Sequence, residues 1–269
     1  MYDYHVHTLF SKDSTMKVEE GIRRAVEIGL KEIAFTDHAE INVWRPGDVI
    51  VDDLFEIPIY IDKMYQYKEK YKDKINIKLG IEIGLQREEK DRIAQIIDEY
   101  PFDFVIGSSH TIEKYDLYFR QLFQEKTKKE AYERYFQEVL KIVQEIESYN
   151  VYGHLDLVRR YAYGEYEDIS ICNIEMEIIE EILKVIIQKG KGIEVNTSGF
   201  RYGIDSTNPD IDVLKLYKDL GGEIITVGSD AHKKEDIGYR IGETYDILKD
   251  IGYKYITTFE RMEPKFIKL

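Results

Sequence analysis

Tyr2-Asp3-Tyr4-His5-Val6-His7-Thr8 is the stretch whose reading decides the fold. Its β-rich composition predicts a strand, Tyr2–His7. On a strand, residues i and i+2 point to the same face, so His5 and His7 project together. Two imidazoles on one face make half of a metal site, or a coincidence. The remainder of the 269 residues decides between these.

Outward from this strand, short β-rich runs alternate with amphipathic helical runs. Val18–Gly29 carries apolar residues at helical spacing and a glycine stop. Ile33–Thr36 reads as a second strand, and Ala39–Val51, with Trp44, Pro46 and Gly47, as a loop. Leu54–Tyr71 reads as a helix, Ile75–Ile83 as a strand, Glu88–Tyr100 as a helix, and Phe102–Ile106 as a strand. Thr111–Lys129 is polar and aromatic without a clear period, a long connection of the kind usually tied to function. Then follow a helix at Glu130–Tyr149, a strand at Asn150–His154, a helix at Asn173–Lys189 and a strand at Gly192–Asn196. The last runs are a helix at Pro209–Leu220, a strand at Ile224–Val227, a helix at Ile237–Leu248 and a strand at Tyr253–Thr257. Such regular alternation predicts a parallel α/β architecture in one domain spanning residues 1–269. Periodicity does not choose between a closed barrel and an open sheet. No GxGxxG or P-loop glycine pattern occurs.

Composition narrows the function. Hydrophobic residues make up 43% and charged residues 33%, as in globular proteins. The net charge of -14 argues against a general nucleic-acid or anionic-membrane binder, which needs a basic face. No apolar run reaches the roughly 20 residues that span a bilayer. There is no basic segment followed by an apolar core, and Cys172 has no cysteine to pair with. A cytoplasmic location is the expectation.

The six histidines are His5, His7, His38, His110, His154 and His232. None falls in a predicted helix; each lies at or just beyond the C-terminal end of a β run. In α/β barrels those ends converge on one face, where the active site is built. Carboxylates join them. Glu82 sits inside an apolar strand, Gly80-Ile81-Glu82-Ile83-Gly84, where a buried acid needs a cation or several donors. Asp230 precedes His232 by two, and Asp13 follows His7, with Asp3 and Asp37 as competitors for its role. These nine candidates are His5, His7, Asp13, His38, Glu82, His110, His154, Asp230 and His232. They exceed the capacity of one ion and fit two or three divalent ions sharing a carboxylate. Mixed N/O ligation suits Zn, Fe or Mn without choosing among them.

A cationic group accompanies them. Arg159 and Arg160 follow His154, and Ser198 and Arg201 follow the Gly192–Asn196 strand. Guanidinium forks match phosphate oxygens, and a hydroxyl beside a glycine completes an anion cradle. Arg160 is taken ahead of its neighbour Arg159, with the choice open.

Together, His5-x-His7, Thr36-Asp37-His38, Gly80-x-Glu82, Ser109-His110, His154 and Asp230-x-His232 resemble the polymerase-and-histidinol-phosphatase (PHP) family of metal-dependent phosphoesterases. Gly153-His154-Leu155-Asp156 and Asn196-Thr197-Ser198-Gly199-Phe200-Arg201 look like its histidinol-phosphatase branch. The resemblance implies a distorted (β/α)7-type, TIM-like barrel with a trinuclear metal cluster at the strand C-termini, bridged by Glu82. One ion would take His5, His7, Glu82 and Asp230, a second Glu82, His110 and His154, and a third Asp13, His38 and His232. It further implies hydrolysis of L-histidinol phosphate, in histidine biosynthesis, with Arg160, Ser198 and Arg201 on the phosphate. Asp13 and His38 are the candidates for proton transfer to the leaving group, and Glu40, Trp44, Glu113 and Tyr118 the candidates to meet the organic half. The alternative is a related phosphoesterase acting on nucleotides or other small phosphate esters. An amidohydrolase-like reading, which also begins from HxH, lacks a lysine placed at a strand end.

Overall fold

The structure is a computed structural model describing residues 1–47 and 49–269. The chain begins with β1 (Tyr2–Val6), α1 (Val18–Glu27) and β2 (Glu32–Phe35), then β3 (His38–Arg45), β4 (Val49–Asp53), α2 (Ile57–Tyr71) and β5 (Asn76–Gly84). Next come α3 (Lys90–Glu99), β6 (Phe104–Ser108), the short pair β7 (Thr111–Ile112) and β8 (Tyr115–Asp116), α4 (Lys128–Glu145) and β9 (Val151–Tyr152). The rest is α5 (Val158–Ala162), α6 (Asn173–Gln188), β10 (Gly192–Asn196), α7 (Ile211–Asp219), β11 (Ile225–Gly228), α8 (Ile241–Ile251), β12 (Tyr255–Glu260) and β13 (Glu263–Lys268).

The fold is α/β around a mostly parallel sheet. Its parallel strands run β1–β2–β5–β6–β9–β10–β11. β5 is buried along nearly its whole length, which puts its charged residues Lys78 and Glu82 inside the protein, where each needs a partner. The outer strands β1 and β11 also meet: Val6 bridges Ala231 in parallel, and the His7 amide donates to the Ala231 carbonyl at 2.9 Å. Helices pack their apolar stripes against the sheet. In α1 the buried residues are Val18, Gly21, Ile22 and Ala25, one helical face.

Three expectations change. The predicted loop Ala39–Val51, of which Asp48 lies outside the described residues, contains the antiparallel pair β3–β4, with Trp44 opposite Ile50 and Arg45 opposite Val49. Ala39, Ile41 and Val43 alternate into the core, a period of two that the turn signal of Pro46-Gly47 obscures. Helix α4 starts at Lys128, two residues before the predicted start, because Thr127 and Glu130 form a reciprocal cap. The Glu130 carboxylate accepts from the Thr127 amide at 2.8 Å. The last strand, β12, does not extend the βα series. It pairs antiparallel with β13 through Arg261-Met262, both with positive φ, 51° and 67°, the turn geometry that matches strand twist. This hairpin lies across the N-terminal ends of the parallel strands: the Met262 amide donates to the Asp103 carbonyl (2.9 Å) and Asn150 Nδ2 to the Met262 carbonyl (3.0 Å).

Candidate metal centre

Every predicted ligand sits at the C-terminal edge of the parallel sheet. His5 ends within β1 and His7 follows it. His38 follows β2, Glu82 lies in β5, His110 follows β6, His154 follows β9, and Asp230 and His232 follow β11. Glu82 is the hub. His38 Nδ1 and His154 Nε2 lie 2.9 Å from its oxygens, His5 Nε2 3.1 Å, His110 Nε2 3.3 Å and His7 Nε2 3.4 Å. Asp230 Oδ1 is 3.4 Å from His7 Nε2 and 3.5 Å from His232 Nδ1. Asp13 Oδ2 is 3.2 Å from His232 and 3.5 Å from His38. Asp3 and Asp37, its sequence competitors, are elsewhere. Asp3 is buried against Ser229 and Gly238, and Asp37 against Thr8 and Ser11.

The donor set fits metal ions. His5 Nε2, His7 Nε2, His38 Nδ1 and Glu82 Oε2 are buried and have no hydrogen-bond partner among the described residues. Buried polar atoms left this way cost free energy unless something else satisfies them. Four overlapping triads bring ligand atoms close enough to share an ion: His7/His38/His232, His5/Glu82/His154, His5/His7/Asp230 and His38/Glu40/His110. Two of the residues hold positive φ, His154 at 23° and Asp230 at 54°. Such backbone costs about 1–3 kcal/mol and collects at functional sites.

Charge is tightly balanced. Burial opposes ionisation of Glu82, yet His5, His110 and His38 hold its pKa well below the usual carboxylate range. Asp230 is likewise depressed against burial, first by Arg160 and then by His5. Burial also opposes charge on His5, His38 and His110, but carboxylates raise them well above the ordinary imidazole value: Glu194 first for His5, Glu82 for His38, Glu40 for His110. His7 behaves oppositely. Burial, then His38 and His232, push it well below the ordinary value, and its ring is stacked between theirs with centroids 4.1 Å apart on each side. A neutral imidazole among ionised carboxylates is a competent ligand set for a divalent cation.

The cationic group lies on the same rim. Arg160 Nη2 is 2.9 Å from Asp230 Oδ2 and 2.5 Å from Ser198 Oγ. Arg201 Nη2 donates to the Asp230 carbonyl at 2.9 Å. Arg160 Nε and Arg201 Nη1 are buried without an acceptor among the described residues, so each has a donor to offer. Arg159 is instead bound to Asp156 (3.0 Å) and Asp210 (3.1 Å). Arg160 lines a cavity of about 760 Å³ whose wall also includes Asp13, Glu40, Tyr118 and Tyr202. Glu113 pairs with Arg134 on the surface, and Trp44 packs edge-on to Tyr115; neither belongs to that wall.

Two carboxylates near the centre were not assigned to it from the sequence. Glu40, placed there with the organic half, is 2.5 Å from His110 Nδ1. Glu194 accepts from His5 Nδ1 at 2.5 Å and from the His154 amide at 2.9 Å. The signal for Glu194 was available: it is an acid inside the apolar strand Gly192-Ile193-Glu194-Val195-Asn196, as Glu82 is in its own. Gly228 keeps the space for this contact, since a Cβ there would lie 2.3 Å from His5 Cβ and 2.6 Å from Glu194 Oε1.

The chain belongs to the PHP domain family, whose model matches residues 3–198. It is 37% identical to the histidinol-phosphatase of Lactococcus lactis over 266 residues, covering 97% of this chain and 95% of that protein. It is 33% identical to a probable histidinol-phosphatase of Clostridium acetobutylicum, covering 97% and 98%. Among solved structures it resembles the Lactococcus lactis histidinol phosphate phosphatase complexed with zinc, L-histidinol and phosphate, with a TM-score of 0.88, 36% identity and 98% of each chain covered.

Proposed function

We propose that this chain is a histidinol phosphatase, a metal-dependent hydrolase converting L-histidinol phosphate and water to L-histidinol and phosphate in histidine biosynthesis. One observation carries the substrate: the full-length likeness, at 36% identity, to a phosphatase crystallised with L-histidinol, phosphate and zinc. The residues fit the same chemistry, with orphaned imidazole and carboxylate atoms beside arginine donors that lack acceptors.

We read residues 1–269 as one catalytic domain in which the seven parallel strands close into a distorted barrel. The Val6–Ala231 bridge and its hydrogen bonds support closure. So does an apolar cluster joining Tyr4, Ala34, Phe104, Ile106, Val151 and Phe259 from five strands. Two or three divalent ions, Zn, Fe or Mn, would be held as the family resemblance implies: His5, His7, Glu82 and Asp230; Glu82, His110 and His154; Asp13, His38 and His232. When bound, such ions acidify water and neutralise phosphoryl oxygens, so that hydrolysis proceeds near neutral pH.

The chain's own side chains do the rest. Arg160 and Arg201 hold phosphoryl oxygens, and Ser198 adds a hydroxyl beside them, offsetting the charge that builds as the ester bond breaks. Asp230 fixes Arg160, and the face of Tyr202 lies 4.3 Å from its guanidinium, so the fork is oriented before substrate arrives. Asp13 and His38, 3.5 Å apart, are our candidates to exchange a proton with the leaving oxygen when only two ions are bound and the third set is free. The partner is a small phosphate ester rather than nucleic acid or membrane, and among the described residues no helix is long and apolar enough to cross a membrane. The cytoplasm is the proposed location.

The test is steady-state kinetics of the metal-loaded protein on L-histidinol phosphate, nucleotides and generic phosphate esters. The expected result is a kcat/KM for L-histidinol phosphate well above the others. Equal efficiency on all of them overturns the substrate assignment and favours a broader phosphoesterase.

A further inference from the structure

We infer that Ser11, locked by Asp37, is a positioning residue that fixes the tautomer of His7 so that Nε2 presents a lone pair to the carboxylates of the centre. The inference rests on the reading of that centre as a metal site and concerns a residue which that reading does not include.

The argument is a count of protons. Ser11 Oγ has three polar neighbours: Asp37 Oδ1 at 2.8 Å, the His38 amide at 3.0 Å and His7 Nδ1 at 3.1 Å. A hydroxyl offers one proton and two lone pairs. Asp37 Oδ1 already accepts two backbone amides, from Thr8 at 2.5 Å and Ser11 at 3.1 Å. Two amides mark Oδ1 as the carbonyl-type oxygen even in a neutral carboxyl group, whose proton would sit on Oδ2 facing the Thr8 hydroxyl, so the proton in the 2.8 Å gap between Ser11 Oγ and Oδ1 belongs to Ser11. The His38 amide can only donate, so it takes one lone pair of Ser11. The lone pair that remains faces His7 Nδ1, which must bring a proton. With its proton on Nδ1, His7 holds a bare lone pair on Nε2, and Nε2 lies 3.4 Å from both Glu82 and Asp230.

The chemistry parallels what its neighbours have directly. His5 Nδ1 meets Glu194 and His110 Nδ1 meets Glu40, each at 2.5 Å. His7 meets a hydroxyl instead and receives a carboxylate at one remove. Such outer partners orient a ligating imidazole and raise its basicity. Ser11 and Asp37 are both fully or almost fully buried, so water does not substitute for them.

The test uses the full-length chain and zinc. In metal-free protein, imidazole 15N spectra should show His7 with Nδ1 protonated and Nε2 bare; Ser11→Ala should lose that preference. Zn2+ titration against a chromophoric chelator should show at least one ion bound about 10–100-fold more weakly in Ser11→Ala. Asp37→Asn, which keeps an acceptor and the packing, should weaken it by about tenfold and serves if Ser11→Ala does not fold. A role confined to holding the loop lowers the melting temperature of the metal-free protein and leaves both readouts unchanged; that result overturns the inference. So does wild-type His7 protonated on Nε2. A wild-type chain that binds no zinc refutes the metal reading instead, while the tautomer measurement still tests the relay.

Discussion

Replacing Glu82 with glutamine removes one charge and almost no volume. The side chain is fully buried, and five imidazole nitrogens lie 2.9 to 3.4 Å from it. At about 3 Å, an opposite unit charge is worth roughly 5 kcal/mol at an effective dielectric of ~20, before desolvation. Stranding one partner of a buried pair costs about 3–5 kcal/mol net. In metal-free protein this lowers Tm by about 6–20 °C, at about 2–4 °C per kcal/mol for a chain of this size. Metal should suffer more, because among the described residues Glu82 is the one carboxylate within reach of all of His5, His7, His38, His110 and His154. We expect Glu82→Gln to retain less than half of the wild-type metal content and to lose at least about 10³-fold in kcat/KM, the upper range for one electrostatic stabiliser. Elemental analysis, thermal melts with and without chelator, and steady-state kinetics on one preparation measure all three. Full metal content with kcat/KM within tenfold of wild type refutes the reasoning.

The same contacts give metal-free protein a pH signature. Glu82 has a depressed folded pKa, so its contribution is present above the unfolded value of about 4.3 and is lost as pH falls through the folded one. His5, His38 and His110 are raised, so theirs is complete below about 6.5 and is lost as pH rises through their folded values. Chelated protein should be most stable between these limits. A stability profile flat from pH 4 to 9 contradicts the pairing.

His7→Ala should lose metal and activity while the fold survives, because the ring packs against other histidines rather than the apolar core; wild-type turnover in a metal-poor His7→Ala preparation contradicts this. Gly228→Ala places a methyl 2.3 Å from His5 Cβ, which should cost about 1–3 kcal/mol of stability and reduce metal content; unaltered metal stoichiometry counts against the role given to that space. Asp103 binds Lys68 (2.7 Å), the Leu79 amide (3.0 Å) and the Arg261 amide (3.3 Å), tying the C-terminal hairpin to β5. Burial opposes its charge, but Lys68 first and then the amides lower its pKa. Asp103→Ala should therefore cost about 1–3 kcal/mol at neutral pH, a difference that shrinks as pH falls below about 4; a cost unchanged at pH 2.5 refutes it.

The parallel strands were legible because each is a short apolar run bounded by turn residues, and the clustering of the candidate residues was legible because histidine and acid interrupt those runs at their ends. The hairpins β3–β4 and β12–β13 were not. β3–β4 carries its alternation through charged and aromatic residues beside a Pro46-Gly47 turn signal. β12–β13 turns on Arg261-Met262, residues with no preference for the positive φ they adopt. Arg159 and Arg160 are equivalent as sequence; only the path of α5 turns one toward Asp156 and the other toward Asp230.

Glu82 and Glu194 put the limit in its sharpest form. Both are acids inside apolar strands, and both obey the same requirement that a buried carboxylate find donors or a cation. Sequence supplies the requirement but not the partner, since His5 and Glu194 are 189 residues apart. The structure separates their roles by what each leaves over. Glu194 has both oxygens occupied, Oε1 by His5 Nδ1 and Oε2 by the His154 amide and Asn196 Nδ2. Glu82 keeps Oε2 without a hydrogen-bond partner among histidine nitrogens that lack partners too. A satisfied acid supports a ligand. An unsatisfied one, facing other buried nitrogens without partners, is where we propose that a metal ion supplies the missing positive charge.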